Sequence, residues 1–167
     1  MPVERHAQSR IVGAMSDEEL LRRAFELACI ARAKGNHPFG AVLGNPDGTI
    51  GLEAENTVVT EGDCTAHAEL SVLRAAFGAL DLDLSRHTLF ASTEPCPMCA
   101  GAAYWSGIGR IVYGLSARRL NAMTSPGHPS GINLPCRDLL ARGARRVVVV
   151  GPLLEDEAAE AHCGFWR

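Results

Sequence analysis

Two short segments, Thr65-Ala66-His67-Ala68-Glu69 and Glu94-Pro95-Cys96-Pro97-Met98-Cys99, limit the folds open to this chain more than anything else in it. Between them they offer an imidazole, two thiols and a free carboxylate, and a fold that uses these groups together must bring the segments into contact. Nitrogen and sulfur are donors that zinc favours, and three protein ligands leave its fourth tetrahedral position open, the usual mark of a catalytic rather than a structural site. His67, Cys96 and Cys99 are thus candidate ligands for one Zn2+ per chain. Glu69 follows His67 by two positions, so at the start of a helix its carboxylate points elsewhere on the first turn and is free to carry protons.

Two other readings use the same residues. Cys96 and Cys99 alone form a Cys-x-x-Cys pair of the redox type, which leaves His67 and Glu69 without a role. Cys64 could join His67, Cys96 and Cys99 in a closed Cys3His set, which would make the metal a staple and the chain a non-catalytic structural zinc module. The six cysteines, at 29, 64, 96, 99, 136 and 163, do not resemble a disulfide framework. The N-terminal segment lacks the apolar run of a signal sequence, and no stretch approaches a membrane span, so a cytoplasmic location with no membrane partner is expected. With 167 residues and a formal net charge of -3, the chain suits one domain and argues against a protein dedicated to long nucleic acids.

Residues 1–14 lack periodicity and are expected to form a mobile N-terminal tail, leaving residues 15–167 as the domain. Ser16-Asp17-Glu18-Glu19 has the form of a capping box. Leu20, Leu21, Ala24, Leu27, Ala28 and Ala31 then repeat with helical spacing until Gly35-Asn36. Ala41–Leu43 and Thr49–Ala54 read as strands of a hairpin around Asn45-Pro46-Asp47-Gly48. Thr65 is a reasonable N-cap for a helix from about Ala66 to Gly78, with His67 and Glu69 on its first turn. A strand from His87 to Ser92 leads into a helix from about Pro97 to Ser106 that carries both thiols at its start, where the helix dipole favours thiolates. Arg110–Tyr113 is the next strand, Ser116–Asn121 a short helix or turn, and Ser125–Gly131 a loop rich in helix breakers. The Val147–Val150 run predicts a strand over Arg145–Val150, buried on both faces, before a last helix at Leu153–Cys163. Helices alternating with strands after the hairpin imply crossovers and the α/β class.

Pro38-Phe39-Gly40-Ala41-Val42, the two metal segments extended through Ala102, and Gly109-Arg110-Ile111-Val112-Tyr113-Gly114 resemble the cytidine deaminase superfamily, and within it the guanine deaminases and tRNA adenosine deaminases most. The resemblance covers residues 37–115 strongly. It implies a three-layer α/β/α sandwich around a five-stranded mixed sheet, a hairpin followed by parallel strands. It also implies zinc on His67, Cys96 and Cys99, with Glu69 as the catalytic proton shuttle. Asn56 matches a residue that contacts base or sugar, although an Asx turn would also account for it. Phe39 matches a pocket wall, Ala68 is placed to offer its backbone amide to the base, and Tyr104-Trp105 favours the guanine branch, with Trp105 a candidate substrate contact for which packing is the alternative. Cys64 departs from the family, which usually has Pro there. Residues 116–124 lack a second acidic shuttle, and Glu155 and Asp156 are the candidate substitutes.

The same resemblance leads to hydrolytic deamination of a small amino-heterocycle, with guanine (to xanthine plus ammonia) or a close purine, pterin or triazine analogue first. The alternative is conversion of adenosine to inosine in tRNA. A tRNA enzyme would need a basic rim, for which Arg118, Arg119, Arg137, Arg142, Arg145 and Arg146 are the candidates; a solvated face explains them equally. Two adjacent aromatics, Phe165 and Trp166, close a chain that is only 5% aromatic, and are expected to cap the pocket of their own or a neighbouring subunit. Pairing into a homodimer is also implied. His37, His87, His128 and His162 lack partner spacing and read as surface or loop residues.

Overall fold

The computed structural model describes residues 13–79, 83–124 and 131–166. Most of the expected N-terminal tail, and the loop expected over Ser125–Gly131 except Gly131, lie outside the described residues. The elements run α1 (Asp17–Ala33), β1 (Gly40–Gly44), β2 (Ile50–Glu55), α2 (Val58–Glu61), α3 (Ala68–Ala79), a short 3-10 turn (Leu84–Arg86), β3 (Thr88–Thr93), α4 (Pro97–Trp105), β4 (Arg110–Leu115), α5 (Ala117–Met123), α6 (Cys136–Leu140), β5 (Val148–Val150) and α7 (Glu155–Glu160). The five strands lie in the order β2-β1-β3-β4-β5. β1 is antiparallel to both β2 and β3, whereas β3, β4 and β5 are parallel.

Alternation along the strands divides the core into two layers. Ala41, Leu43, Leu89 and Ile111 face α3 and α4, packing on Val72, Leu73 and Ala103. Val42, Phe90 and Val112 face α1 and α7, packing on Leu21, Ala24, Phe25 and Ala158. The sheet is thus the middle layer of an α/β/α sandwich. The capping box of α1 forms as expected: the Ser16 amide donates to Glu19 Oε2 at 2.8 Å and the Glu19 amide to Ser16 Oγ at 3.3 Å. Gly40 admits a close approach of α1 to the sheet, since a Cβ there would stand 2.3 Å from the carbonyl oxygen of Ala24.

Three expectations are corrected. β5 is a three-residue edge strand with Val148 41% exposed, not a strand buried on both faces. Unbroken valines report β-propensity but not how many neighbours a strand has. Arg145 is drawn off the ladder because its guanidinium donates to the carbonyls of Ile108 and Tyr104 at 2.6 and 2.7 Å. Thr65 does not cap α3: Asp63 Oδ1 takes both its amide and its hydroxyl, at 2.8 and 2.7 Å. The helix instead starts at Ala68, with the His67 carbonyl accepting from the Ser71 amide at 2.9 Å, so His67 precedes the first turn. Finally, His87 and His162 are buried, at 7% and 1% exposure.

Candidate active site

The topology gathers chain segments at one edge of the sheet. β3 and β4 are parallel, so their carboxyl ends lie side by side, where open α/β sheets place ligands. β1 runs the other way, which brings Phe39, just before it, beside the end of β3. Asn56, just after β2, is tied there by its amide, which donates to the Phe39 carbonyl at 2.9 Å. A cleft of about 260 Å³ opens at this edge, and its lining includes His37, Phe39, His67, Glu69, Thr93, Glu94, Cys96, Leu120, Ile132, Leu134 and Trp166.

At its floor, one ligand atom from each of His67, Cys96 and Cys99 falls within 4.8 Å of the others. Cys96 sits at the N-cap of α4 and Cys99 on its first turn, so both sulfurs project from the same helix end toward His67. His67 Nδ1 lies 3.7 Å from Cys96 Sγ and 3.6 Å from Cys99 Sγ. Nitrogen and sulfur on a tetrahedral zinc, at about 2.0–2.1 and 2.3 Å from the ion, stand about 3.6 Å apart. The donor set therefore fits zinc in chemistry and in spacing. Cys64 is exposed and outside this cluster, so it does not close a four-ligand set.

Glu69, on the first turn of α3, lines the same cleft with only 6% of its surface exposed. Burial first, then the charge of the Cys96 thiolate, push its carboxyl up to about 7. The Cys96 thiol is drawn down to about 4, chiefly by its hydrogen bond with Cys99, whose own proton is held correspondingly tightly. The pair thus ionises one sulfur first, and a cation between the two favours ionisation of both.

The other expected site residues divide. Phe39 and Trp166 line the cleft. Phe165 stands behind Trp166, ring centroids 4.8 Å apart, and does not itself line the cleft. Asn56 is 1% exposed; its Oδ1 accepts from the Val58 amide at 3.2 Å, making the Asx turn, while its Nδ2 has no partner among the described residues. Ala68 is buried at the first position of α3, where a helix leaves its amides unpaired. Trp105 does not reach the cleft and is 83% exposed on the outer face. Six residues beyond Cys99 on the same helix, it is rotated by roughly 240° and displaced by roughly 9 Å along the axis.

One residue of the cleft wall was not evident as such in the sequence. Glu94 lines the cleft and accepts two backbone amides, Ala117 at its Oε2 and Cys136 at its Oε1, both at 3.0 Å. One carboxylate thereby caps α5 and α6 together and hangs the far wall of the cleft from the corner before Cys96. Its place inside the cysteine motif was the available signal. Glu155 and Asp156 do not supply a second acid in the cleft: Glu155 accepts from the Ser116 amide at 2.9 Å, and Asp156 pairs with Arg119 at 2.7 Å. Of the candidate basic rim, Arg137 donates to the Val149 carbonyl at 2.7 Å and Arg145 is held by the carbonyls of Ile108 and Tyr104, so much of it serves the fold.

Residues 14–115 match the cytidine and deoxycytidylate deaminase zinc-binding region. A probable cytosine deaminase of Schizosaccharomyces pombe is 39% identical over 155 residues, covering 91% of this chain and 94% of that protein. A tRNA-specific adenosine deaminase of Haemophilus influenzae is 42% identical over 113 residues, 67% of this chain and 65% of that one. Among solved structures, guanine deaminase from Nitrosomonas europaea superposes with a TM-score of 0.72 at 29% identity, covering 89% of this chain and 82% of the other.

Proposed function

Because this chain belongs to the zinc-binding cytidine and deoxycytidylate deaminase family and is a deaminase, we propose that its substrate is a free amino-substituted heterocycle, guanine or a close analogue first. The observation that carries the choice is Trp166, which lines the cleft that holds His67 and Glu69. An indole in the wall of a cleft of only about 260 Å³ suits a small planar ring and leaves little room for a folded anticodon stem. An ammonia-release assay across guanine, cytosine, adenine, pterins, aminotriazines and an anticodon stem-loop tests this. Turnover of a free base is expected, and turnover of the RNA alone overturns it.

His67, Cys96 and Cys99 would hold the zinc, which when bound supplies the Lewis acidity that makes water a nucleophile near neutral pH. Glu69 accepts the proton that water gives up as its oxygen attacks the ring carbon bearing the amine. It passes that proton to a ring nitrogen, then takes the second from the hydroxyl now on the ring carbon and gives it to the departing amine, so that the C–N bond breaks and R–NH2 and water become the oxo ring and ammonia. Phe39 and Trp166, whose ring centroids lie 6.1 Å apart, offer the ring one apolar wall and exclude bulk water. The Asn56 Nδ2, which lacks a partner among the described residues, can fix the ring's orientation. Deleting Gly164–Arg167 should lower kcat/KM for a free base by on the order of 10²-fold, as loss of positioning does. An unaffected truncation rules out the lid.

We further propose a homodimer through the face that carries Trp105. Trp105 and Phe77, 83% and 73% exposed, flank a groove of about 420 Å³ floored by Leu70, Leu73 and Ala102. Paired apolar side chains this exposed commonly mark an interaction surface. The wild type is expected to sediment as a dimer and the Phe77→Asp, Trp105→Asp variant as a monomer; a monomeric wild type refutes the pairing. Among the described residues no helix is long and apolar enough to cross a membrane.

A further inference from the structure

Behind the cleft wall, three side chains form a hydrogen-bond chain whose direction is fixed at one end. Trp166 Nε1 lies 3.1 Å from His162 Nδ1, and His162 Nε2 lies 3.3 Å from Thr93 Oγ1. Indole N–H can only donate, so Nδ1 must accept and carries no proton. The imidazole hydrogen is therefore on Nε2 and points at Thr93, whose oxygen accepts it. The Thr93 hydroxyl hydrogen must then turn elsewhere, and Thr93 lines the cleft.

The surroundings hold this polarity in place. His162 is 1% exposed, stacked on the Trp166 ring with an interplanar angle of 13° and 5.3 Å from the centroid of Phe39. Burial, with Arg32 nearby, draws its pKa down to about 4, so the ring is neutral at ordinary pH and cannot donate from both nitrogens. Thr93 is itself only 4% exposed, so water cannot easily substitute for a missing partner.

We infer that the Thr93 hydroxyl is a substrate-contacting hydrogen-bond donor, aimed at an acceptor on the ring edge (an oxo group or bare nitrogen), and that His162 is the residue that fixes its polarity. The inference rests on the small-heterocycle reading of the same cleft. It makes the C-terminal tryptophan part of specificity as well as of closure: with Trp166 seated, Thr93 presents a donor and disfavours a ring with an N–H at that edge.

Two measurements on the zinc-loaded full chain test it. Nitrogen-15 NMR should show His162 as the neutral Nε2–H tautomer; the Nδ1–H form or a doubly protonated ring overturns the relay. With guanine, or whichever base of the panel the wild type deaminates, Thr93→Val should raise KM by about 10- to 100-fold with kcat little changed, while Thr93→Ser stays within about threefold of wild type. In the His162→Phe background the added cost of Thr93→Val should shrink at least threefold, because the hydroxyl's direction is no longer imposed. Circular dichroism and zinc content verify that each variant is folded. An unchanged KM in Thr93→Val, or strictly additive effects in the double variant, overturns the inference while leaving the deaminase reading intact. A wild type that releases ammonia from no free base overturns the substrate reading and the inference with it, whatever the tautomer.

Discussion

Glu69→Gln is expected to bind zinc as the wild type does and to lose kcat by on the order of 10²–10⁴, the usual worth of general acid-base catalysis. The amide keeps the shape of the buried side chain but cannot take a proton from water or pass one to a ring nitrogen. The surroundings of this carboxyl suit it to proton transfer, because burial and the neighbouring thiolate lift it to about 7, where it can gain and lose a proton under ordinary conditions. Zinc content by atomic emission, measured beside ammonia release, separates a lost proton shuttle from a lost metal. Full turnover in a zinc-replete Glu69→Gln protein would remove Glu69 from the mechanism.

Cys99→Ala should have the other large effect, for the opposite reason. Cys99 is fully buried on the first turn of α4, and with His67 and Cys96 it completes the donor set. Removing it leaves two ligands. Zinc affinity should then fall by more than the ~10- to 100-fold that follows loss of a mere outer partner, with activity falling in step. Dialysis against a chelator should strip the variant under conditions that leave the wild type loaded. Cys64→Ala, at an exposed position outside the cluster, should keep both metal and activity. Zinc retained at one per chain by Cys99→Ala would refute the three-ligand assignment.

The parts of this molecule that were legible in sequence are those governed by local rules. The Ser16 capping box, the apolar stripe of α1 and the turn at Asn45–Gly48 each involve groups a few residues apart, and each formed as their chemistry required. The metal cluster was legible too, because zinc demands particular donors and two short segments supply them at close spacing. What escaped depends on neighbours remote in sequence. The valines of β5 cannot say that no strand follows on their outer side. Thr65 had the right chemistry for a cap, but Asp63 competed for its hydroxyl and amide. His162 looked like one histidine among several until the fold set it between Trp166 and Thr93. Trp105 was placed at the substrate by analogy, and the rotation of its own helix carried it to the outside.

Glu94 grips the start of α5 and of α6 through main-chain amides, at Ala117 and Cys136, with the Cys136 thiol also against it. Every amino acid except proline brings such an amide, so the anchorage is indifferent to which side chains the wall displays. Asn121, Ile132 and Leu134, which line the cleft, can be exchanged without removing these two bonds, whereas Leu120 also packs on the core layer of α1 and α7. Selectivity for one ring over another can therefore be rewritten along those loops while the reaction centre beside them keeps its form.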